Sequence, residues 1–155
     1  VAQAVIRAIR QTRLLPRGLA PLPLDNGDLS SALEELAENS SALFQITCDF
    51  AHDGQPRKIP AEKATHLFRI AQEAVQNSIK HGKAMSVQIK LNYDKNELIV
   101  TDNGLGLPDK ALDKKDEPDG MGLKIMKHRA GKIDGEVTVH RASPTGTVVK
   151  CLFKE

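Results

Sequence analysis

The segment from Pro60 to His81 constrains the fold more than any other part of this 155-residue sequence. Its apolar residues recur at spacings of three and four, which is the period of an amphipathic helix with one buried face. Pro60 suits the first turn of such a helix, and Gly82 suits the left-handed residue that often follows the last turn. We therefore predict a helix over 60–81 whose core-facing side chains are Leu67, Ile70, Ala71, Ala74, Val75 and Ile79.

Other periodic segments predict two more helices in the same domain and about five or six short strands. Asp28 suits the N-cap of a helix that continues to about Leu43, and helical spacing returns from Met121 to Ile133. Most of the strands are joined by hairpins, so the pattern predicts an α+β fold in which helices cover one face of a mixed sheet. Apolar and polar residues alternate, as in half-buried strands, over 44–50 and 87–93. Further strands are predicted over 98–101, 136–140 and 147–153.

The first 24 residues form a separate unit in this interpretation. An amphipathic helix is predicted from Val1 to Leu15, and it begins without a capping residue, as a cut helix would. Pro16, Pro21 and Pro23 then predict an extended arm, because prolines so closely spaced suit neither a helix nor a central strand. We therefore divide the chain into residues 1–24 and one compact domain over 25–155.

Composition excludes several classes of protein. Apolar residues make up 40% and charged residues 27%, which is typical of a globular domain. Aromatic residues make up 3% and the net charge is +2, so we expect no nucleic-acid partner, which would need stacking surfaces or a basic block. No apolar stretch approaches the roughly 20 residues that cross a bilayer. Cys48 and Cys151 lie in apolar runs, as reduced core thiols do, so we expect a soluble, cytoplasmic domain.

Four polar residues near the end of the long helix carry the first chemical signal. Glu73, Asn77, Lys80 and His81 follow one another at spacings that keep them within one polar stripe. A carboxylate, an amide, an ammonium and an imidazole so arranged could bind a metal together with a triphosphate. Mg²⁺ prefers hard oxygen ligands and keeps several waters, so the side-chain oxygen of Asn77 could be its one protein ligand. A solvated helix face is the alternative interpretation.

The second signal is the segment Asp102-Asn103-Gly104-Leu105-Gly106, which follows a predicted strand. Its glycines permit close approach of a ligand to the backbone. A carboxylate fixed there can accept a hydrogen bond of about 1.5–3 kcal/mol from the exocyclic amine of adenine, whereas guanine presents a carbonyl. We therefore predict that Asp102 recognises adenine, although Asp-x-Gly also forms ordinary turns.

A long charged loop and a second pair of glycines provide two further signals. Residues 105–120 hold little that could be buried, and a loop of this length in a compact domain is usually a functional lid. Gly120-Met121-Gly122-Leu123 then opens a helix, whose free N–H groups and dipole favour an anion, although it could be a plain glycine-rich helix start. Neither glycine segment matches a P-loop or a Rossmann fingerprint, so those two nucleotide folds are excluded.

The order of these segments resembles the GHKL, or Bergerat-fold, ATPases. Glu-x-x-x-Asn-x-x-Lys-His, Asp-x-Gly-x-Gly, a charged lid, Gly-x-Gly-Leu and Gly-Thr resemble the N, G1, G2 and terminal boxes of that superfamily. Residues 67–83 and 120–130 look like the histidine kinases of the nitrate-sensor and lipid-fluidity-sensor type, and residues 17–24 look like the link from their dimerisation helix. The resemblance covers residues 17–153. It implies a two-layer α/β sandwich of a mixed sheet and about three helices, with a nucleotide beneath the lid.

The resemblance also implies roles for the matching residues. Glu73 and Asn77 would be catalytic, Asn77 as the Mg²⁺ ligand and Glu73 as the acid that organises water near the metal. The predicted ATP-binding residues are Asn77, Lys80 and His81 toward the phosphates, Asp102 at adenine, Gly104 and Gly106 beneath the base, Gly120, Gly122 and Leu123 at the hinge and helix start, and Thr147 reaching adenine through water.

The implied function is that of the ATP-binding catalytic domain of a sensor histidine kinase, over residues 25–155, with residues 1–24 as the end of the dimerisation helix and its linker. Such a domain transfers the γ-phosphoryl group of ATP to a histidine on the dimerisation domain, and a response regulator then receives it. Residues 1–15 contain no histidine, so we expect the phosphoacceptor to lie outside this chain. The alternatives are a GHKL serine kinase of the anti-sigma type and a regulatory module without useful ATP binding. The parent protein could be membrane-anchored.

Overall fold

The structure, a computed structural model, describes residues 28–106 and 121–155. The predicted helix over 1–15, the arm over 17–24, Gly120 and most of the predicted lid lie outside the described residues. The described elements, in chain order, are α1 (Leu29–Phe44), β1 (Thr47–Asp53), α2 (Ala61–Lys80), β2 (Ser86–Asn92), β3 (Glu97–Asp102), α3 (Met121–Gly131), β4 (Glu136–Arg141) and β5 (Thr147–Leu152).

The five strands form one mixed sheet in the order β1-β2-β3-β5-β4. β1 and β2 are parallel, with Thr47 opposite Ser86, whereas every other neighbouring pair is antiparallel. Parallel neighbours need a long crossover connection, and α2 supplies it between β1 and β2. The mixed sheet is therefore confirmed, and the predicted hairpin is the antiparallel pair β2 and β3.

The three helices form one layer over the sheet. α2 packs against both α1 and α3, while α1 also covers β1 and α3 also covers β4. Leu67 and Ile70 of α2 belong to the same buried cluster as Ile89, Leu91 and Val100 of the central strands. Burying one such aliphatic side chain contributes about 1.5–3 kcal/mol, so this contact layer supplies much of the stability. The predicted two-layer α/β sandwich with about three helices is confirmed.

The start of α1 and its end, within one residue of the predicted Leu43, agree with the prediction, whereas the start of the next strand does not. Asp28 caps the helix by accepting from the backbone N–H of Ser31 at 3.2 Å, and hydrogen bonds from Ser31 lower the pKa of Asp28. The prediction that a strand begins at Phe44 is wrong, because the helix continues through Phe44 and Gln45 ends it in the left-handed region at φ 56°. The alternating apolar residues that suggested a strand there belong partly to the last helical turn.

The predicted left-handed conformation of Gly82 is also wrong. Lys83 is the residue with positive φ, at 51°, after α2. Gly82 is needed for space instead, because a Cβ at this position would lie 2.8 Å from the carbonyl oxygen of Ser78. The turn is further fixed by the N–H of Leu105, which donates to the carbonyl of Gly82 at 2.7 Å. The end of α2 is thereby joined to the loop after β3.

Composition also led to predictions about the two cysteines and about membrane-spanning helices. Cys48 and Cys151 are both free and buried, as expected of core thiols. Burial raises the pKa of Cys48 to about 11 and the pKa of Cys151 to about 12. In the part of the chain that the structure describes, no helix has the length and apolarity to cross a membrane.

Candidate functional site

A cavity of about 530 Å³ lies between α2 and α3 at the end of β3. This volume is in the range of small-molecule sites. Its wall is mostly apolar, and polar groups come from the last turns of α2, the end of β3 and the start of β5. The lining residues are Ala74, Asn77, Ser78, His81, Gly82, Asp102, Leu105, Gly106, Leu123, Met126, Val139, Thr147 and Val149.

Asp102, the last residue of β3, is the buried carboxylate of this cavity, with 7% of its surface exposed. Its Oδ2 accepts from the hydroxyl of Ser78 at 2.7 Å, and its Oδ1 accepts from the backbone N–H of Gly104 at 2.8 Å. An ionised carboxylate can accept about four hydrogen bonds, so two protein donors fix its orientation and leave capacity for a ligand. Asp102 can therefore act as an oriented acceptor inside a largely apolar cavity.

Sequence reasoning missed Ser78. Its hydroxyl lies 2.7 Å from Asp102 Oδ2 and 2.9 Å from the carbonyl oxygen of Ala74, and it has one hydrogen to donate between these acceptors. The available signal was a serine within the apolar stripe of the long helix, four residues after Ala74 and three after Val75. A hydroxyl on a core-facing stripe needs a partner, and here the partner is the cavity carboxylate.

The start of α3 lies directly against two predicted site residues of α2. A Cβ at Gly122 would lie 2.6 Å from Glu73 Oε1 and 2.9 Å from Asn77 Nδ2. Glu73 is buried, and Asn77, one turn later, lines the cavity. The free N–H groups at a helix start favour anions, so this end of the cavity can take negative charge.

Gly106 and Gly146 let two loops pack closely against each other at the other end of the cavity. A Cβ at Gly146 would lie 1.8 Å from the carbonyl oxygen of Asp102, and its φ of 108° is one that other residues rarely adopt. Gly106, at φ 80°, lines the cavity and packs on Gly146, whose carbonyl oxygen would be 3.0 Å from an added Cβ. The hairpin before β5 therefore closes tightly against the loop after β3.

The structure brings most of the predicted site residues together. Asn77, His81, Asp102, Gly106, Leu123 and Thr147 line the cavity. Glu73, Gly104 and Gly122 support it through the contacts described above. Lys80 is exposed and is not among the lining residues. Within residues 28–106 and 121–155, no group of three or more His, Cys, Asp or Glu side chains is placed to hold a metal ion.

Comparison with known families identifies the class of protein that this fold and cavity define. Residues 62–155 match the family described as "Histidine kinase-, DNA gyrase B-, and HSP90-like ATPase", which covers more than half of the chain. The chain therefore belongs to this ATPase family. The match begins in the first turn of α2 and includes every lining residue of the cavity.

Individual relatives narrow the class to catalytic domains of sensor histidine kinases. The nitrate/nitrite sensor protein NarX of Escherichia coli K12 is 34% identical over 134 residues, which are 85% of this chain and 22% of NarX. The nitrate/nitrite sensor protein NarQ of the same organism is 32% identical over 161 residues, 99% of this chain and 27% of NarQ. The chain thus spans about a quarter of the length of these two relatives.

A solved structure of low sequence identity has the same fold. The ATP-binding domain of PrrB from Mycobacterium tuberculosis superposes with a TM-score of 0.61 at 18% identity, covering 83% of this chain and 93% of that domain. The family match and the two relatives confirm the predicted ATP-binding catalytic domain of the sensor histidine kinase type as a class. It implies that the chain binds a nucleotide.

Proposed function

We propose that the cavity binds ATP with adenine against Asp102 and the phosphates toward Asn77 and the start of α3. The observation that carries this proposal is that an oriented carboxylate and an amide line a single cavity. Asp102 is held by two donors, so it would accept from the exocyclic amine of adenine without losing orientation. Leu123 and Met126 of α3 would cover the base and ribose with apolar surface.

The residues at the phosphate end fit a magnesium ion. Asn77 offers a hard oxygen to the cavity, and the carboxylate of Glu73 lies one turn away on the same helix, near the same residue Gly122. When bound, Mg²⁺ would neutralise phosphate charge. Asn77 would ligate it, Glu73 would orient water beside it, and the N–H groups at the start of α3 would bind phosphate oxygens. His81 also lines the cavity and would face the phosphates, with Lys80 reaching them from the exposed side of α2.

The activity that we infer is transfer of the γ-phosphoryl group of ATP to a histidine on a separate dimerisation domain of the parent protein. In such a transfer the catalytic domain mainly positions the nucleotide and stabilises charge. A response regulator would then receive the phosphoryl group. The domain would act on the cytoplasmic side, where ATP is available.

Two measurements test this proposal. Isothermal titration calorimetry should detect Mg·ATP binding by the chain, and a calorimetric trace without binding would favour the regulatory module. The chain should then phosphorylate a supplied histidine-containing dimerisation domain and not a serine-containing anti-sigma partner. The reverse preference would assign it to the serine kinases. Robust phosphate incorporation into the chain alone would contradict the proposed division between catalytic and acceptor domains.

A further inference from the structure

A second groove lies on the outer side of the α2 and α3 pair. It encloses about 430 Å³ and shares no lining residue with the nucleotide cavity. The start of α3 touches Glu73 and Asn77, while its end lies beside His66, so the two helices run antiparallel. The groove therefore lies toward the opposite end of the helix pair from the proposed phosphate site. Its lining residues are His66, Lys124, Ile125, His128, Arg129 and Lys132.

Positive charge dominates this groove. Lys124, His128 and Lys132 are exposed and repeat at intervals of four residues, which places them in one row with a spacing of about 6 Å. Residues 121–133 contain four Lys or Arg residues and no acidic residue. The ion pairs among the described residues involve Arg57, Lys90 and Lys150, and none of these pairs includes a cation of the groove.

His66 adds a second, independent observation. Its Nδ1 is buried and has no hydrogen-bond partner, the only such side-chain atom in the part of the chain that the structure describes. Burial, followed by the charge of Arg129, lowers the pKa of His66, with Lys132 and His128 acting in the same direction and Glu62 opposing them. A buried polar atom without a partner is uncommon, because water or another group usually satisfies it. His66 is itself one of the lining residues of the groove.

We propose that this groove docks an acidic segment of a partner protein, whose carboxylates contact the row formed by Lys124, His128 and Lys132 and approach His66. Carboxylates repeating about once per helical turn would match that row. A lipid surface fits less well, because the large exposed apolar side chains among the described residues are Met85, Leu105 and Leu152, and none lines the groove. The lining also has no Phe, Tyr or Trp on which a nucleobase could stack.

The test uses the whole 155-residue chain and a fluorescein-labelled, alanine-based peptide of about 15 residues with glutamate at every fourth position. Fluorescence polarisation should detect binding that weakens as salt is added, because exposed charges are screened. The same peptide with glutamine in place of glutamate should not bind. In ¹⁵N-edited NMR spectra the acidic peptide should shift the resonances of residues 124–132 and the imidazole of His66.

A pair of charge-matched variants locates the site. Reversal of the row with Lys124→Glu and Lys132→Glu should weaken peptide binding by about tenfold or more, because two attractive contacts become repulsive. Reversal of two exposed lysines elsewhere, Lys58→Glu and Lys95→Glu, makes the same change in net charge and should weaken it far less. Mg·ATP affinity should be the same in both variants, which shows that each folds and that the groove is separate from the nucleotide site.

Three results would overturn the proposal. They are equal weakening by the two double variants, binding of the glutamine peptide as tight as that of the glutamate peptide, and binding of phosphatidylglycerol vesicles through Lys124 and Lys132 when the acidic peptide does not bind. Because Mg·ATP binding is measured on the same samples, failure of the groove and failure of the proposed nucleotide site give different results.

Discussion

At the scale of single residues, the carboxylate of Asp102 combines burial with fixed orientation. A sequence can indicate such a residue, because an acidic residue at the end of an apolar strand and before glycines is unusual in a core. It cannot indicate the group that holds the carboxylate. Ser78 lies 24 positions earlier, and only the packing of α2 over β3 brings its hydroxyl to 2.7 Å.

Substitution of Asp102 should weaken adenine binding more than substitution of Ser78, which donates a hydrogen bond to it. Asp102→Asn keeps the shape but loses the charge, so we expect Mg·ATP affinity to fall by about 10- to 100-fold, the equivalent of about 1.5–3 kcal/mol. Ser78→Ala removes one of two donors and should lower affinity by about threefold to tenfold. Calorimetric titration of both variants, with thermal unfolding to confirm that they fold, measures the difference. Equal affinity of Asp102→Asn and the native chain would exclude Asp102 from the base site.

His66 should make stability depend on pH. The folded state lowers the pKa of His66 below the value of about 6.5 in unfolded chains, so the unfolded state binds more protons between those two values. The free energy of unfolding should therefore fall as the pH drops below about 7, and His66→Phe should reduce that fall. Urea unfolding at neutral and mildly acidic pH checks this. An unchanged pH dependence in the variant would show that other groups cause it.

At the scale of secondary structure elements, the sequence predicts those helices and strands whose apolar residues recur with a clear period. The long apolar stripe predicted α2 to within a residue at its start, and capping chemistry predicted the start of α1. The start of β1 at Thr47 could not be predicted, because a short apolar run fits both the last turn of a helix and the first residues of a strand. The parallel pairing of β1 with β2 could not be predicted either, because the strand that lies next to β1 depends on how α2 crosses the sheet.

The helix α3 offers a matched pair of glycine substitutions. Gly122→Ala would place a Cβ 2.6 Å from Glu73 Oε1, so we expect the start of α3 to shift away from α2 and Mg·ATP affinity to fall by about tenfold or more. Gly131→Ala meets no atom within 4 Å and should leave affinity unchanged, while raising the free energy of unfolding by up to about 1 kcal/mol. Calorimetry and urea unfolding of the two variants separate the effects. A loss of affinity in both would point to a general effect of α3 rather than to this contact.

At the scale of the whole molecule, two thiols report on how the layers unfold. Cys48 lies on β1 at one edge of the sheet, and Cys151 lies on β5 beyond its centre. Both are buried with raised pKa values of about 11 and about 12, so neither should react with iodoacetamide at pH 8 in the native protein. If helices and sheet unfold as one unit, both should become reactive at the same urea concentration. Mass spectrometry of labelled peptides distinguishes this from stepwise exposure, in which one thiol reacts first.

Charge is also distributed unevenly over the molecule. α1, on one flank of the helix layer, contains three glutamates and no basic residue, whereas residues 121–133, on the other flank, contain only basic charge. A net charge of +2 conceals this separation. The composition of the chain therefore could not predict the basic groove, which depends on α2 placing His66 beside the end of α3.

The close contact of Gly146 with the carbonyl of Asp102 affects when a newly synthesised chain can first bind a nucleotide. One wall of the proposed nucleotide cavity comes from α2 and β3, and another comes from the hairpin that leads into β5. A polypeptide still on the ribosome can complete its long helix and central strands well before this hairpin emerges. Nucleotide binding should therefore begin only after β5 has been synthesised.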